Sequence, residues 1–191
     1  MLAFTFMPTG VPTDVVLQRY NSTLSFKQSP AQMTQYIDQM QSTLPEVNSD
    51  FESMKNLVDK LVAQDIPYEC VTFNQPWNTP PEEIEDFCCA SFVSYVLYNC
   101  GLIEESQCSS WVGAFLPIMD KIEPEELAPG DIILFWKTYE VANPSRPTHI
   151  GIYMGEDQMA HSGSPAQYTS LDTTYWRDKF YGCYRLRSNN T

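Results

Sequence analysis

The chain has 191 residues, 43% of them hydrophobic and 13% aromatic, which indicates a folded protein with a sizeable core rather than a disordered segment. Its net charge of −13 excludes the basic patch typical of nucleic-acid-binding proteins, and we interpret its acidic clusters as solvated loops and helix starts. No apolar run reaches the roughly 18 residues that a membrane-spanning helix requires, so the sequence predicts no membrane span.

The first 64 residues are predicted to be an N-terminal arm and a helical hairpin, followed by a second domain over residues 65–191. Residues 1–28 are rich in Pro and Thr. Capping boxes at Ser29–Gln32 and Ser49–Glu52 predict the two helices of the hairpin. We expect the hairpin to pack on the rest of the chain, and binding of a protein partner is the alternative.

The N-terminus does not have the pattern of a secretory leader. Its apolar stretch, Met1–Met7, is short, and the first basic residue is Arg19, whereas a leader begins with positive charge and continues with a longer apolar core. The localisation is therefore unknown from the sequence. Delivery in a virus particle or release by lysis is the hypothesis that this pattern suggests.

A third helix is predicted from Glu82 or Glu85 to about Asn99, with Gly101 as its C-terminal stop and Cys89 near its start. The positive end of a helix lowers the pKa of a thiol from its ordinary value of about 8.5, which favours the reactive thiolate. Cys89 is therefore a candidate nucleophile. A small buried core residue is the alternative interpretation of a lone cysteine.

The rest of the chain is predicted to be mostly strands. After a loop region in which Trp111 and Phe115 are expected to be core anchors, Ile132–Trp136 reads as a buried strand and Tyr181–Arg187 as the last strand. Helices that precede antiparallel strands indicate an α+β fold. We expect a nucleophile helix packed on a small antiparallel sheet.

Both histidines of the chain lie in one predicted hairpin, at positions 149 and 161. Ile150, Ile152 and Met154 alternate with His149, which predicts one buried face and one face that carries the imidazole. A three-residue loop, 155–157, would pair Met154 with Gln158 and place His149 and His161 on the same face as diagonal neighbours. A two-residue loop would place them on opposite faces.

A cysteine and two histidines fit the requirements of nucleophilic catalysis. A Cys89 thiolate would attack a carbonyl carbon, His149 would return the proton to the leaving amine, and His161 would hold the His149 ring in one tautomer. Backbone N–H groups at the helix start would stabilise the oxyanion. A zinc site formed with Cys88 is the alternative, but adjacent cysteines are poor ligand spacing, so no metal and no cofactor is predicted.

Four segments of the sequence resemble the NlpC family of cell-wall peptidases, a papain-like group related to CHAP amidases. The first, Phe87–Val96, looks like the family's nucleophile helix. The other three resemble its Pro-Gly-Asp strand, its histidine hairpin and its closing segment: Leu127–Phe135, His149–His161 and Tyr175–Leu186. Together they span about residues 66–187.

The resemblance implies that residues 65–191 form a papain-like catalytic domain of the NlpC type. It also implies hydrolysis of amide bonds in peptidoglycan peptides by an endopeptidase or amidase. It implies Cys89 as nucleophile, His149 as base and His161 as orienting group. It also implies two substrate-binding residues: Tyr68, in an element like the family's Pro-Tyr pair, and Ser91, which replaces the family's Gly and narrows the approach to the thiol.

The chain departs from the family pattern beside the nucleophile. Cys88 stands where the family has the Asp that commonly meets the free amine of a stem peptide. A cross-linked stem, the amide between sugar and peptide, and an unrelated peptide or acyl substrate therefore remain alternatives. Two other functions also remain open: a catalytically silent wall-binding or structural module, and an acyl-transfer or thioesterase enzyme.

Overall fold

The computed structural model describes residues 49–69 and 72–187. The predicted N-terminal arm and the first predicted helix lie outside these residues. The described helices and strands, in chain order, are α1 Ser49–Val62, α2 Cys89–Asn99, β1 Met119–Ile122, β2 Ile132–Trp136, β3 Pro147–Gly155, β4 Gln158–Ser162, β5 Ala166–Ser170, α3 Thr174–Asp178 and β6 Phe180–Leu186. The chain has the predicted α+β fold, a mixture of helices and antiparallel sheet.

The six strands form one antiparallel sheet in the order β1-β6-β2-β3-β4-β5. Successive side chains of a strand point to opposite faces, so each strand divides its residues between two clusters. Ile132 and Leu134 of β2 pack in the main core with α2, whereas Ile133 and Phe135 belong to a smaller cluster with Trp176 of α3. The sheet is therefore covered by helical residues on both faces.

Helix α1 packs its apolar face into the same main core. Met54, Val58 and Leu61 lie at helical spacing and are almost completely buried. The Tyr168 hydroxyl of β5 donates a hydrogen bond to the Asp59 carboxylate of this helix. The expectation that this helix packs on the rest of the chain is confirmed. The division of the chain after residue 64 stays a prediction.

One ion pair joins two strands that are distant in sequence. Arg185 on β6 donates from Nε and a terminal nitrogen to the two carboxylate oxygens of Asp131, at 2.8 and 2.7 Å. The Ala128 N–H donates to the same carboxylate and closes the turn before β2. The Asp131 side chain is only 6% exposed, so this bidentate contact is shielded from solvent on the carboxylate side. The Pro-Gly-Asp turn is thereby fixed to the closing strand.

The predicted start of the third helix is wrong by several residues. The helix begins at Cys89, because Cys88 has an extended backbone and acts as the N-cap. Pro81–Glu83 forms a separate single 3₁₀ turn, and Phe87 makes a parallel bridge with Tyr68. The acids that were expected at the helix start therefore lie before it, in the approach to α2.

The segment between α2 and β2 also differs from expectation. Phe115 is fully buried, as predicted, but Trp111 is 57% exposed, so its prediction as a core anchor is wrong. Its ring lies over Gly113, where a Cβ would be 2.4 Å from the indole. Strands β1 and β5 were not predicted, because each has four or five residues and little apolar alternation.

No helix within the described ranges has the length and hydropathy needed to cross a bilayer. The described cysteines are thiols rather than halves of disulfides: Cys88, Cys89, Cys100, Cys108 and Cys183. Burial raises the pKa of the Cys183 thiol to about 11, as expected for a cysteine that acts as a small core residue.

Candidate active site

A capping box built from a thiol and a hydroxyl starts the helix that carries Cys89. The Ser91 N–H donates to Cys88 Sγ at 3.4 Å, and the Cys88 N–H donates to Ser91 Oγ at 2.9 Å. The Cys88 thiol also donates to the Ser110 carbonyl at 3.5 Å. Cys88 therefore acts as the helix cap. Its thiol replaces the carboxylate that the family has at this position.

Cys89 follows as the first residue of α2, at 4% exposure. The approach to this helix is fixed to the strand that carries His161, because Ser162 Oγ donates to the Phe87 carbonyl at 3.1 Å. Phe87 is two residues before Cys89, and Ser162 directly follows His161. The helix start thus lies beside the end of β4 at the position of that histidine.

The hairpin holds both histidines on one face, although its loop differs from the predicted one. Glu156 and Asp157 alone form the turn, both with positive φ, and Gly155 pairs with Gln158. A β-bulge between Tyr153 and Gly155 adds one residue to β3. The extra residue restores the expected register, in which Ile152 pairs with Ala160. A two-residue turn therefore does not separate the histidines.

The two imidazole rings are hydrogen-bonded to each other. His149 Nε2 lies 2.8 Å from His161 Nδ1, and the rings meet almost at right angles. Gly151 lies between them in register, and a Cβ there would be 2.9 Å from Met159 Sδ and 3.1 Å from the Ala160 carbonyl oxygen, so a larger residue would require these neighbours to shift. The predicted pairing of the histidines is present in the structure.

Thr169 on β5 is a third member of this hydrogen-bonded chain, and sequence reasoning did not identify it. Its Oγ1 lies 2.9 Å from His161 Nε2. His161 pairs with Gln167 across β4 and β5, so Thr169 is its diagonal neighbour on the same face. No sequence signal distinguished this threonine, since the strand that carries it was not predicted.

Trp176 on α3 covers the imidazole pair. Its ring centroid is 5.4 Å from that of His149 and 5.5 Å from that of His161, and 4.6 Å from the Phe135 ring. The side chain of Thr173 caps α3 by accepting from the Trp176 N–H. The indole therefore limits the access of water to both rings on this side.

Burial sets the protonation of both histidines. Desolvation lowers the pKa of His149, and the neighbouring His161 lowers it further. Desolvation also lowers the pKa of His161, with a smaller opposing effect from the Ser162 backbone. Both rings are therefore neutral near pH 7. A neutral His149 is able to accept a proton, which is the property required of a general base.

The two predicted substrate-binding residues lie at the approach to α2. Tyr68 is partly buried and bridges Phe87, which places it close to the helix start. Ser91 is fully buried, and its hydroxyl donates to the Cys88 carbonyl and accepts from the Cys88 N–H. The observed contacts of Ser91 are those of a helix cap, and its contact with substrate stays a prediction.

The zinc alternative has no support in the described residues. No group of three or more His, Cys, Asp or Glu side chains within 49–69 and 72–187 is arranged to hold a metal ion. Cys88 is occupied in the helix cap, and both ring nitrogens of His161 have hydrogen-bond partners. Cys88 and His161 are therefore already engaged in hydrogen bonds.

Two known proteins resemble part of the chain. Probable peptidoglycan endopeptidase LytE of Bacillus subtilis is 29% identical over 101 residues, which are 52% of this chain and 27% of that protein. Gamma-DL-glutamyl hydrolase of the same organism is 32% identical over 71 residues, 36% of this chain and 17% of that protein. The chain thus matches only part of the length of each relative.

The fold also has solved counterparts. An NLP/P60 lipoprotein-like structure from Staphylococcus aureus superposes with a TM-score of 0.60 at 21% identity, covering 77% of this chain and 45% of that one. The profile of the NlpC/P60 family matches residues 75–185, a segment that contains α2, the histidine hairpin and Thr169. Because this match covers more than half of the sequence, the chain belongs to the NlpC/P60 family.

Proposed function

We propose that the protein is a cysteine hydrolase that cleaves amide bonds in peptidoglycan peptides, with Cys89 as nucleophile, His149 as base and His161 as orienting group. The observation that carries the proposal is the buried pair of imidazoles, joined at 2.8 Å beside the strand end that is hydrogen-bonded to the approach of the Cys89 helix. A binding module has no need of such a pair, since burial of two titratable rings is costly.

In the first step, the Cys89 thiol transfers its proton to His149 Nδ1, and the sulfur bonds to the carbonyl carbon of the substrate. Because burial favours neutral rings, the proton moves as the sulfur attacks rather than residing on His149 beforehand. Nε2 of His149 then donates to Nδ1 of His161, which spreads the positive charge over the pair. The partial positive charge at the start of α2 favours the developing oxyanion.

In the second step, His149 returns the proton to the amine as the carbon–nitrogen bond breaks, leaving a thioester on Cys89. Water then gives a proton to His149 and adds to the thioester carbon, and the released sulfur regains its proton. Trp176 favours these reaction steps, because an imidazole pair that is shielded from solvent keeps its hydrogen bond.

The substrate class is supported by the names of the two curated relatives, one a probable peptidoglycan endopeptidase and the other a glutamyl hydrolase. Tyr68 and Ser91 are proposed to contact the substrate near the helix start. Because Cys88 carries a thiol rather than a carboxyl group and is buried in the cap, the position gives no carboxylate to pair with a free amine. A protein partner bound through residues 1–64 stays a prediction.

The test compares two adjacent thiols. Purified protein is incubated with bacterial peptidoglycan, and new amine and carboxyl ends are identified by mass spectrometry. We expect Cys89→Ala to reduce cleavage to the uncatalysed background, a loss of at least about 10³-fold. Cys88→Ala is the matched control and is expected to retain most of the activity, since it removes only a helix cap.

Three outcomes of this experiment would contradict the proposed function or its nucleophile. A wild-type protein that binds peptidoglycan but releases no fragment would establish the silent module and overturn the hydrolase. Cleavage that survives Cys89→Ala and is lost in Cys88→Ala would transfer the nucleophile to the neighbouring thiol. Release of a thioester-derived acyl group without amide cleavage would favour the acyl-transfer alternative.

A further inference from the structure

The hydrogen bonds around His161 leave few choices for the positions of its protons. Nδ1 faces His149 and Nε2 faces Thr169, so both ring nitrogens are engaged. A neutral imidazole has one N–H donor and one acceptor nitrogen. The chain of two rings and one hydroxyl therefore has two arrangements, with all protons directed toward Thr169 or all directed toward His149.

The two arrangements differ in what His149 can do. When Nε2–H of His149 donates to His161 and Nε2–H of His161 donates to Thr169, Nδ1 of His149 carries a lone pair. In the reverse arrangement, Nε2 of His149 accepts from His161, and Nδ1 carries the proton instead. Only the first arrangement leaves a base available on Nδ1, the nitrogen that does not face His161.

We propose that Thr169 is a positioning residue, which accepts the Nε2–H of His161 and thereby holds both histidines in the tautomers that catalysis requires. The inference deepens the proposed hydrolase function and rests on it. The acceptor at Thr169 is needed most after proton transfer, when His149 carries protons on both ring nitrogens. His161 must then accept at Nδ1 and carry its own proton on Nε2, which needs an acceptor at the position of Thr169.

The surroundings of His161 make that acceptor necessary. The ring is 4% exposed and is covered by Trp176 at 5.5 Å between centroids, so bulk water has little access to it. Thr169 itself is partly exposed and is held by the pairing of β4 with β5, in which Met159 lies opposite it. Loss of its hydroxyl would leave a buried N–H without its partner, which is costly.

The first test measures catalysis with three variants on β5. Thr169→Val keeps the shape and removes the hydroxyl, and we expect kcat to fall roughly 10- to 100-fold with little change in KM. Thr169→Ser keeps the hydroxyl and is expected to recover most of kcat. Ser170→Ala, the matched control, removes a neighbouring hydroxyl that accepts from Asp172 N–H, and kcat is expected to stay within about twofold.

The second test reads the tautomers without activity. The chain has two histidines, so ¹⁵N labelling of histidine gives only four ring-nitrogen resonances. We expect both neutral rings of the wild type to be protonated at Nε2. In Thr169→Val we expect a shift toward protonation of His161 at Nδ1 and of His149 at Nδ1.

These readouts separate the inference from the function on which it rests. A wild type protonated at Nδ1 of His149, or a Thr169→Val protein with unchanged kcat and an unchanged ¹⁵N spectrum, would overturn the role of Thr169. Equal loss of kcat in Thr169→Ser and Thr169→Val would also overturn it, since a packing role would then account for both. Absence of cleavage by the wild type overturns the hydrolase, while the ¹⁵N spectra still test the tautomers.

Discussion

The start of α2 and the strands that carry the histidines form two sides of the candidate site, and they are stabilised in different ways. The helix start is fixed by hydrogen bonds between Cys88 and Ser91, three residues apart. The histidine side depends on contacts between β2, β3, β4, β5 and β6, such as the ion pair that joins Asp131 to Arg185. The cap of α2 is local in sequence, although Ser110 and Ser162 add contacts from distant parts of the chain to the helix start. The histidine side depends mainly on contacts between strands.

The local nature of the helix cap explains how the chain accommodates Cys88 and Ser91 at the start of α2. At the helix start, Cys88 and Ser91 rebuild a capping box from a thiol and a hydroxyl, so the helix still begins at Cys89. On the histidine side, each ring depends on a neighbour from another strand, and Gly151 lies close to Met159 and Ala160 of β4. We therefore expect local changes at the cap to cost less than changes in the strand contacts.

The largest effect is expected at the ion pair between β2 and β6. Asp131→Ala should lower the free energy of unfolding by about 2–3 kcal/mol, because it removes two charge-assisted hydrogen bonds and the acceptor of the Ala128 N–H. The loss of stability is limited because the Arg185 side chain is 49% exposed and can be hydrated once its partner is removed. Urea unfolding followed by fluorescence measures it.

Asp120→Ala is the matched control for that change. Asp120 pairs with Arg187 on the same sheet at 2.8 Å, but both side chains are more than half exposed. We expect a cost below about 1 kcal/mol, as for other surface ion pairs. Equal costs for the two variants would contradict the distinction between shielded and exposed strand contacts.

A smaller effect is expected from the buried histidines in acid. Their folded-state pKa values are lowered, so below pH 6.5 the unfolded chain binds more protons than the folded chain, and stability falls as pH falls. We expect each ring to account for a loss of roughly 1–2 kcal/mol between pH 6.5 and 5. Urea unfolding of Cys89→Ala at several pH values measures this loss in the absence of the Cys89 thiol.

The control for the acid effect adds His149→Gln and His161→Gln to the same Cys89→Ala background. With no titrating ring, the stability of this protein should decline less between pH 6.5 and 5. The carboxylates are common to both proteins and titrate mainly at lower pH, so they do not account for a difference in this window. Identical slopes in the two proteins would show that the rings are charged in the folded state.

The smallest effect is expected at the helix cap. Cys88→Ala should cost about 1 kcal/mol of unfolding free energy, since it removes the acceptor of the Ser91 N–H. Cys88→Ser keeps an acceptor and should stay within about 0.5 kcal/mol of the wild type. If the serine variant were as unstable as the alanine variant, packing of the thiol rather than capping would stabilise the helix start.

Several features of the fold were predictable because they are local. The continuous apolar run of β2 and the alternation along β3 predicted these strands, and the bounds of β2 agree with those in the structure. The apolar spacing from Phe92 to Leu97 predicted the buried face of α2. The start of that helix was misplaced because acids after Pro81 resemble a helix start, whereas the extended bridge of Phe87 to Tyr68 delays it.

The features that were missed depend on neighbours from elsewhere in the chain. Trp111 is large and apolar, as core residues often are, but its ring lies over Gly113 at the surface and is exposed. Strand β5 is short and polar, and it exists because β4 supplies its hydrogen-bonding partners. The loop of the histidine hairpin was predicted with three residues, and the bulge that compensates for its two-residue turn has no evident sequence signal.

The amino-acid sequence by itself determined the segments that make the candidate site: a thiol at the beginning of an amphipathic helix and two imidazoles at alternate positions of paired strands. Periodicity and capping are properties of residues within a few positions of one another, so they are readable without coordinates. Only the tertiary structure decided that Thr169 contacts His161, that Trp176 covers both rings and that Arg185 holds the Asp131 turn. Those contacts depend on strand order and burial, which no local pattern encodes.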